Sequence, residues 1–302
     1  MLMPVQQQIT AAPNSRSAPT QFTGVLGSWR LVRLLGEGNW NHVYQAAPIV
    51  ATENSPADYA LKMLKPSRVH DAQAIAQLQR EVLVGKSVSH PHVQCILSSH
   101  VDRAPYYLVM PYQRGTSLRD YLRKHERLPL AQAIWASRQV AEGLRAFHER
   151  GWVHCDVKPD NIYVAVNGHV TVGDLGLART RDDCRGPQPA FAGTPAYMAP
   201  EAFCTGGILS GASDAYSLGV MLFELLTGQH PFPQTEPAEL GAAHRLLKPP
   251  DPRTFQPDVP ASAARLLRSL LAKEPLRRPT GQELIQSLVD LEIENFEFRV
   301  AG

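Results

Sequence analysis

The 302-residue chain is 44% hydrophobic and 19% charged, with a formal net charge of +2, which suits one large domain or two closely packed lobes around a sizeable core. Its Lys and Arg residues are scattered rather than massed, which argues against a nucleic-acid or polyanion partner. Cys95, Cys155, Cys184 and Cys204 lack zinc-type spacing and read as reduced thiols of a cytoplasmic protein, with neither a secretory leader nor a membrane span expected.

Residues 1–25 are rich in Gln, Pro, Ala, Ser and Thr without periodicity. They bury too little apolar surface to offset their ordering entropy and are expected to form a disordered tail. The domain proper is expected over residues 26–295, with a first lobe at 26–111 and a second at 112–295. In the first lobe, β-rich runs at residues 29–35, 43–47, 59–64 and 106–110, bounded by Gly, Pro and polar clusters, predict an antiparallel sheet. One helix, residues 71–88, interrupts it, with Ile75, Leu78, Val82 and Leu83 forming its apolar stripe.

Beyond Tyr112, apolar stripes predict helices over residues 118–124, 130–150, 213–227, 237–247, 261–271 and 281–291. Pro-rich loops at 187–200 and 249–260 separate them. The fold class is therefore α+β and bilobal: a small antiparallel sheet with one helix, then a larger, mainly helical lobe. Trp135 and Phe147 on the long helix read as core, and His90-Pro91-His92 as the loop after the first helix rather than a metal site.

Candidate chemistry runs in the same order. Gly36 and Gly38 lie between two predicted strands, where backbone without a Cβ can approach a polyphosphate. Because strand rather than helix follows, a dinucleotide-binding fold is disfavoured, while an ordinary hairpin turn stays open. Lys62 sits on a strand in apolar surroundings, where a buried ammonium needs a carboxylate or phosphate partner, and Glu81 lies on the first helix. Taken alone, such a lysine is far more often a surface charge, and Glu81 reads equally well as a solvated helix residue; only the combination raises both. The loop from His154 to Asn161 then sets Asp156, Lys158 and Asn161 between a helix and a short strand, and Asp174 follows between Gly173 and Leu175-Gly176. Phosphoryl transfer calls for a carboxylate that orients a hydroxyl, a cation near the migrating group and hard oxygen ligands for magnesium.

In this ordered set, completed by Ala199-Pro200-Glu201, Asp214 and Arg278, the chain resembles the eukaryotic-type serine/threonine protein kinase family from residue 28 to 291. The resemblance implies ATP and Mg²⁺ as cofactors and the hydroxyl of a serine or threonine in a protein as acceptor. It implies that Lys62 holds the α and β phosphates and pairs with Glu81. Asp156 would take the acceptor's proton, Lys158 would steady the γ-phosphate, and Asn161 and Asp174 would bind the metal. Leu35, Gly36, Gly38, Val43, Ala60, Met110, Pro111, Tyr112 and Tyr163 would surround the nucleotide, with Pro111 and Tyr112 meeting the adenine edge. Pro111 can offer a carbonyl there but no N–H. Thr194 would reach towards Asp156 and Lys158, Glu201 would pair with Arg278, and Asp214 would brace the catalytic loop. Lys158 marks serine/threonine rather than tyrosine specificity.

Four departures from the family pattern stand out. Asn41 replaces the third glycine of the phosphate loop, which stiffens its tip. Cys155 replaces the arginine that in many members holds a phosphorylated activation segment, and Thr180 is the one Ser or Thr between Asp174 and Gly193. Control by activation-loop phosphorylation is therefore not expected. Gly85 replaces a Leu or Met that links the first helix to Leu175 and His154, so that helix is expected to dock poorly and to be steadied by an activating partner or by the N-terminal tail. Tyr163 replaces the leucine floor of the adenine pocket and reads as a tolerated aromatic. The rival readings are a pseudokinase or nucleotide-binding scaffold, disfavoured by the intact Lys62, Asp156 and Asp174, and a small-molecule kinase, disfavoured by the segment 193–201. Basic residues after Met110-Pro111-Tyr112-Gln113, the hinge that the resemblance implies between the lobes, namely Arg114, Arg119, Arg123, Lys124 and Arg127, read either as disfavouring basic peptides or as a solvated helix face.

Overall fold

A computed structural model describes residues 24–51, 56–185 and 193–300. The tail expected over 1–25 therefore lies, up to residue 23, outside the described residues, as do residues 187–192 of the expected Pro-rich loop. The first lobe is a six-stranded sheet of strands β1 Gly24–Leu26, β2 Trp29–Glu37, β3 Asn41–Pro48, β4 Tyr59–Leu64, β5 Ser98–His100 and β6 Tyr107–Pro111. Its order is β1-β2-β3-β4-β6-β5, and every pair is antiparallel. Helix α1, Ala72–Ser87, packs on one face. The domain begins earlier than expected, because Gly24 and Val25 pair with Leu31 and Arg30 instead of belonging to the tail.

Side-chain alternation along β4 decides where the chemistry lies. Leu61 turns to one face with Leu31, Tyr44, Ala46, Tyr107 and Val109. Leu64 turns to the other, with Ala74, Leu78 and Val82 of α1 and with Ile96 and Leu108. Lys62, two residues before Leu64, shares that second face and so points at α1. The helix starts at Asp71, whose carboxylate accepts from the backbone N–H groups of Gln73 and Ala74 at 3.1 Å each. Its buried face carries Leu78, Glu81, Val82, Val84 and Gly85, whereas Leu83, expected in the apolar stripe, is 59% exposed. The carboxylate of Glu81 takes a place that hydrophobic periodicity would give to an apolar residue.

The second lobe begins with β7 Gly115–Ser117, α2 Leu118–His125 and α3 Leu130–Glu149. Short strands β8 Trp152–Val153, β9 Ile162–Ala165, β10 Val170–Val172 and β11 Arg179–Thr180 follow, then helices α4 Gly211–Thr227, α5 Pro237–Leu246, α6 Ala261–Leu270 and α7 Gly281–Val300. The strands form a three-stranded sheet, β10-β9-β7, and a two-stranded one, β11-β8. One large core joins α3, α4, α6 and α7 to the strands, with Phe147, Tyr216, Leu218 and Phe223 fully buried. Trp135 packs at its edge and donates to the Gly168 carbonyl at 3.3 Å. Helix α4 is capped by Ser210, whose Oγ accepts from Ala212 N–H while the Ser213 Oγ accepts from Ser210 N–H.

The expected weak docking of α1 is not what the packing shows. Gly85 leaves no hole, because Ile96, itself buried, fills the space a longer side chain would take: a Cβ at Gly85 would lie 2.4 Å from Ile96 Cγ1. The apolar bulk reaches the same place from the strand side instead of from the helix. Gly85→Ala is expected to cost about 1–3 kcal/mol of stability in urea unfolding, although alanine is the better helix former. Combined with Ile96→Ala it should cost less than the sum of the two single changes. Strict additivity would show that the two side chains do not compete for this space.

Candidate active site

Lys62 is held between two carboxylates. Its Nζ donates to Glu81 Oε2 at 2.7 Å and to Asp174 Oδ1 at 2.9 Å, while the Gln94 amide donates to Glu81 Oε1 at 3.1 Å. Burial opposes the Lys62 charge, but Asp174 and Glu81 more than offset it, so its pKa is raised. Lys62 in turn holds the Asp174 carboxyl below the usual range. Burial pushes the Glu81 carboxyl up, against the pull of Lys62 and of the Gln94 amide.

A second cluster surrounds Asp156. Lys158 Nζ lies 2.7 Å from Asp156 Oδ2 and donates to Thr194 Oγ1 at 2.6 Å. Thr194 donates both its N–H and its hydroxyl to Asp156 Oδ1, each at 3.1 Å. Asn161 Nδ2 donates to the Asp156 carbonyl at 2.8 Å and to Asp156 Oδ2 at 2.9 Å. Backbone links join the clusters: Gly173 N–H donates to Asn161 O at 2.9 Å, and His154 Nε2 lies 3.2 Å from Gly173 O. Because His154 Nδ1 accepts from Asp156 N–H at 3.2 Å, this bonding places the His154 proton on Nε2.

Asp214, in the first turn of α4 and 1% exposed, positions the whole loop. Its Oδ2 accepts from His154 N–H at 2.9 Å and lies 2.8 Å from His148 Nε2, and its Oδ1 accepts from Cys155 N–H at 2.9 Å. These bonds hold Cys155 in the left-handed region, at φ 66°. Burial opposes the Asp214 charge, but His148, His154 and the backbone donors outweigh it, so its pKa is lowered.

The segment after Thr194 is anchored by a bidentate pair, Arg278 Nη1 to Glu201 Oε1 at 2.7 Å and Nη2 to Oε2 at 2.8 Å. Ser213 Oγ adds a bond to Glu201 Oε1 at 2.6 Å. Arg278 spends its remaining donors on the carbonyls of Ala272, Ala212 and Lys273, so neither buried charge lacks partners. A second brace lies beside it. Arg119 Nη1 donates to Glu224 Oε1 at 2.7 Å, Nε to Asp160 Oδ2 at 3.1 Å and Nη2 to the Tyr197 hydroxyl, which donates to Glu224 Oε2. Of the basic residues after the hinge, Arg119 is therefore neither peptide-facing nor a solvated charge. Nothing in its spacing signals that Tyr197 and Glu224 will meet it.

The expected nucleotide-lining residues lie on the strands that border the cleft: Leu35 and Gly36 on β2, Val43 on β3, Ala60 on β4, Met110 and Pro111 on β6, and Tyr163 on β9. Gly38 N–H donates to Asn41 O at 2.9 Å and closes the loop, and a Cβ at Gly36 would meet nothing within 4 Å. The Asn41 side-chain oxygen is buried without a hydrogen-bond partner. Tyr163 is 44% exposed, yet its ring borders Gly173 and its phenol feels the charges of Lys62 and Asp174, so it faces the cleft. The Tyr112 N–H is donated to Asp58 O at 2.8 Å, so of its main-chain groups the carbonyl is the one left for the adenine edge.

The protein kinase domain family model matches residues 29–289. Similar proteins include CBL-interacting serine/threonine-protein kinase 12 of Arabidopsis thaliana, 31% identical over 283 residues, covering 92% of this chain and 55% of that protein. Serine/threonine-protein kinase PknD of Mycobacterium tuberculosis is 34% identical over 263 residues, covering 86% and 39%. Serine/threonine-protein kinase PrkC of Bacillus subtilis is 29% identical over 255 residues, covering 84% and 39%. The chain thus spans only 39% to 55% of the length of these relatives.

Asp214→Asn is expected to destabilise the protein by about 1–3 kcal/mol at neutral pH, since the partners of a buried acceptor are left poorly satisfied. Because the folded pKa is lowered, the contribution is complete above the ordinary aspartate value of 3.8 and fades as pH falls through the folded value. Urea unfolding of both proteins across the acid range measures this. A gap of constant size would show that the Asp214 charge is not what holds the loop.

Proposed function

This chain belongs to the protein kinase domain family, and on that premise we propose that it transfers the γ-phosphoryl group of ATP to a serine or threonine hydroxyl of a protein substrate. The observation that carries the proposal is the joint assembly of Lys62–Glu81–Asp174 and Asp156–Lys158–Thr194 across one cleft. Asp156 takes the proton of the acceptor hydroxyl, with Thr194 and Asn161 fixing its carboxylate. Lys158 supplies the cation beside it, and Lys62 receives the α and β phosphates. Leu35, Gly36, Gly38, Val43, Ala60, Met110 and Tyr163 enclose the nucleotide. Pro111 offers its carbonyl to the adenine edge, and Gln113 is the next hinge residue with an N–H to offer.

The donor set suits magnesium. Asn161 uses its amide nitrogen on Asp156, and Lys62 takes only one Asp174 oxygen, which leaves the Asn161 amide oxygen and the second Asp174 oxygen as hard ligands. Bound there, the ion would offset charge on the phosphate oxygens. Lys158 and the anchored segment 193–201 favour a Ser/Thr peptide over tyrosine or a small molecule. The complete set of charged residues speaks against the pseudokinase alternative.

Phosphorylation of the activation segment is not part of this reading. Thr180 lies in β11, opposite Trp152, and its Oγ1 accepts from Asp183 N–H at 3.1 Å, while Cys155 offers no charge to a phosphate. An activating partner on the Glu81 helix would act on a helix whose packing at Gly85 is already filled by Ile96. Among the described residues no helix is long and apolar enough to cross a membrane, and a cytoplasmic location fits the thiols.

With labelled ATP, Mg²⁺ and a degenerate peptide array, the wild type should label Ser/Thr peptides, and Asp156→Asn should lower kcat by about 10²–10⁴. Asp174→Asn should abolish magnesium-dependent turnover, and Thr180→Ala should leave activity within about twofold. Equal labelling by wild type and Asp156→Asn would overturn the assignment of Asp156.

A further inference from the structure

Cys155 and Cys184 are far apart in sequence, but the fold brings them together. Strand β11 runs antiparallel to β8, with Arg179 opposite Val153 and Thr180 opposite Trp152. Arg181 extends the ladder, its N–H donating to Gly151 O at 3.0 Å and its Nη2 to His148 O at 2.8 Å. A tight turn then reverses the chain. Thr180 N–H donates to Asp183 Oδ2 at 3.3 Å, and Asp183 N–H to Thr180 Oγ1 at 3.1 Å. The turn carries Cys184 back to the residue that follows β8 and His154. Cys184 is fully buried, Cys155 is half-buried, and the two side chains are neighbours close enough for each to perturb the other's ionisation. Cys155 Sγ also lies 3.5 Å from Val153 O. The far end of the segment returns to the same residue, since a Cβ on Gly193 would lie 3.1 Å from Cys155 O.

We propose that Cys155 and Cys184 are a redox modification site, closing to a reversible disulfide that ties the activation segment to the catalytic loop. The oxidant is a peroxide. A thiolate attacks the O–O bond to give a sulfenic acid and, with hydrogen peroxide, water; the second thiol then displaces a further water from that sulfur and forms the S–S bond. Two thiols lose two electrons and two protons, and one peroxide becomes two waters. A thiol reductant reverses the step by exchange.

The two sulfurs are unequal, as this chemistry needs. The Cys155 side chain beside it and the neighbouring Arg179 charge hold the Cys184 thiol below its usual range, whereas contact with Cys184 and burial raise Cys155. The bond forms between residues already adjacent in the arrangement where Thr194 bridges Asp156 and Lys158, so oxidation fixes that arrangement. Its effect on turnover rests on the kinase reading, but the bond itself does not.

The test uses the reduced full chain, hydrogen peroxide, alkylation of remaining thiols and non-reducing peptide mapping by mass spectrometry. The expected product links Cys155 to Cys184, leaves the exposed Cys95 and Cys204 alkylated, and reverts with dithiothreitol. Tryptic cleavage after Arg181 should slow about tenfold on oxidation, and Cys184→Ser should lose that protection while keeping the activity of the reduced wild type. Cys155 and Cys184 remaining alkylatable once Cys95 or Cys204 has been oxidised would overturn the proposal. So would equal peroxide protection in Cys184→Ser. Mapping and proteolysis need no turnover, so failure of the kinase reading would show separately, as absent phosphate transfer with the bridge intact.

Discussion

One buried carboxylate sets the geometry on which the remaining chemistry depends. Asp214 gathers the N–H groups of His154 and Cys155 and the ring of His148, and so fixes the loop from His154 to Asn161 against α3 and α4. Its position follows from the capping of α4 by Ser210, which starts the helix so that Asp214 lies in the first turn. The macrodipole there favours a negative charge, adding to the hydrogen bonds that hold the side chain ionised in a dry site. With the loop fixed, Asp156, Lys158 and Asn161 can meet Thr194 from the opposite side.

The two lobes use opposite solutions to the same problem of burying charge. In the second lobe, Arg278 and Glu201 are desolvated in a closed bidentate pair whose spare donors all reach carbonyls. In the first, Lys62 is shared by Glu81 and by Asp174, which is half exposed to the cleft. The closed pair suits a structural strut. The shared lysine suits a site where an incoming phosphate can take up part of the interaction.

Gly85 and Cys155 show why a departure from a family pattern cannot be priced from one position. Gly85 reads as a missing side chain between the first helix and Leu175, yet Ile96 fills the volume from another part of the chain, because packing conserves volume rather than residue identity. Cys155 reads as a lost arginine, yet the neighbouring turn delivers a second thiol to it. In both cases the compensating residue is remote in sequence and carries no local signal.

The sequence by itself determined the elements and the candidate site residues. Apolar periodicity placed β4 at residues 59–64 and α3 at 130–149 within a residue of their ends, and the order of Lys62, Glu81, Asp156, Lys158, Asn161 and Asp174 carried the resemblance to the family. Local pattern could do this because strand and helix periods and loop residues are properties of short segments. Only the tertiary structure decided which distant groups share space: Ile96 with Gly85, Arg119 with Tyr197 and Glu224, Asp58 with the Tyr112 N–H, and Cys184 with Cys155. Those contacts arise from the crossing of separate elements, a geometry that no local period encodes.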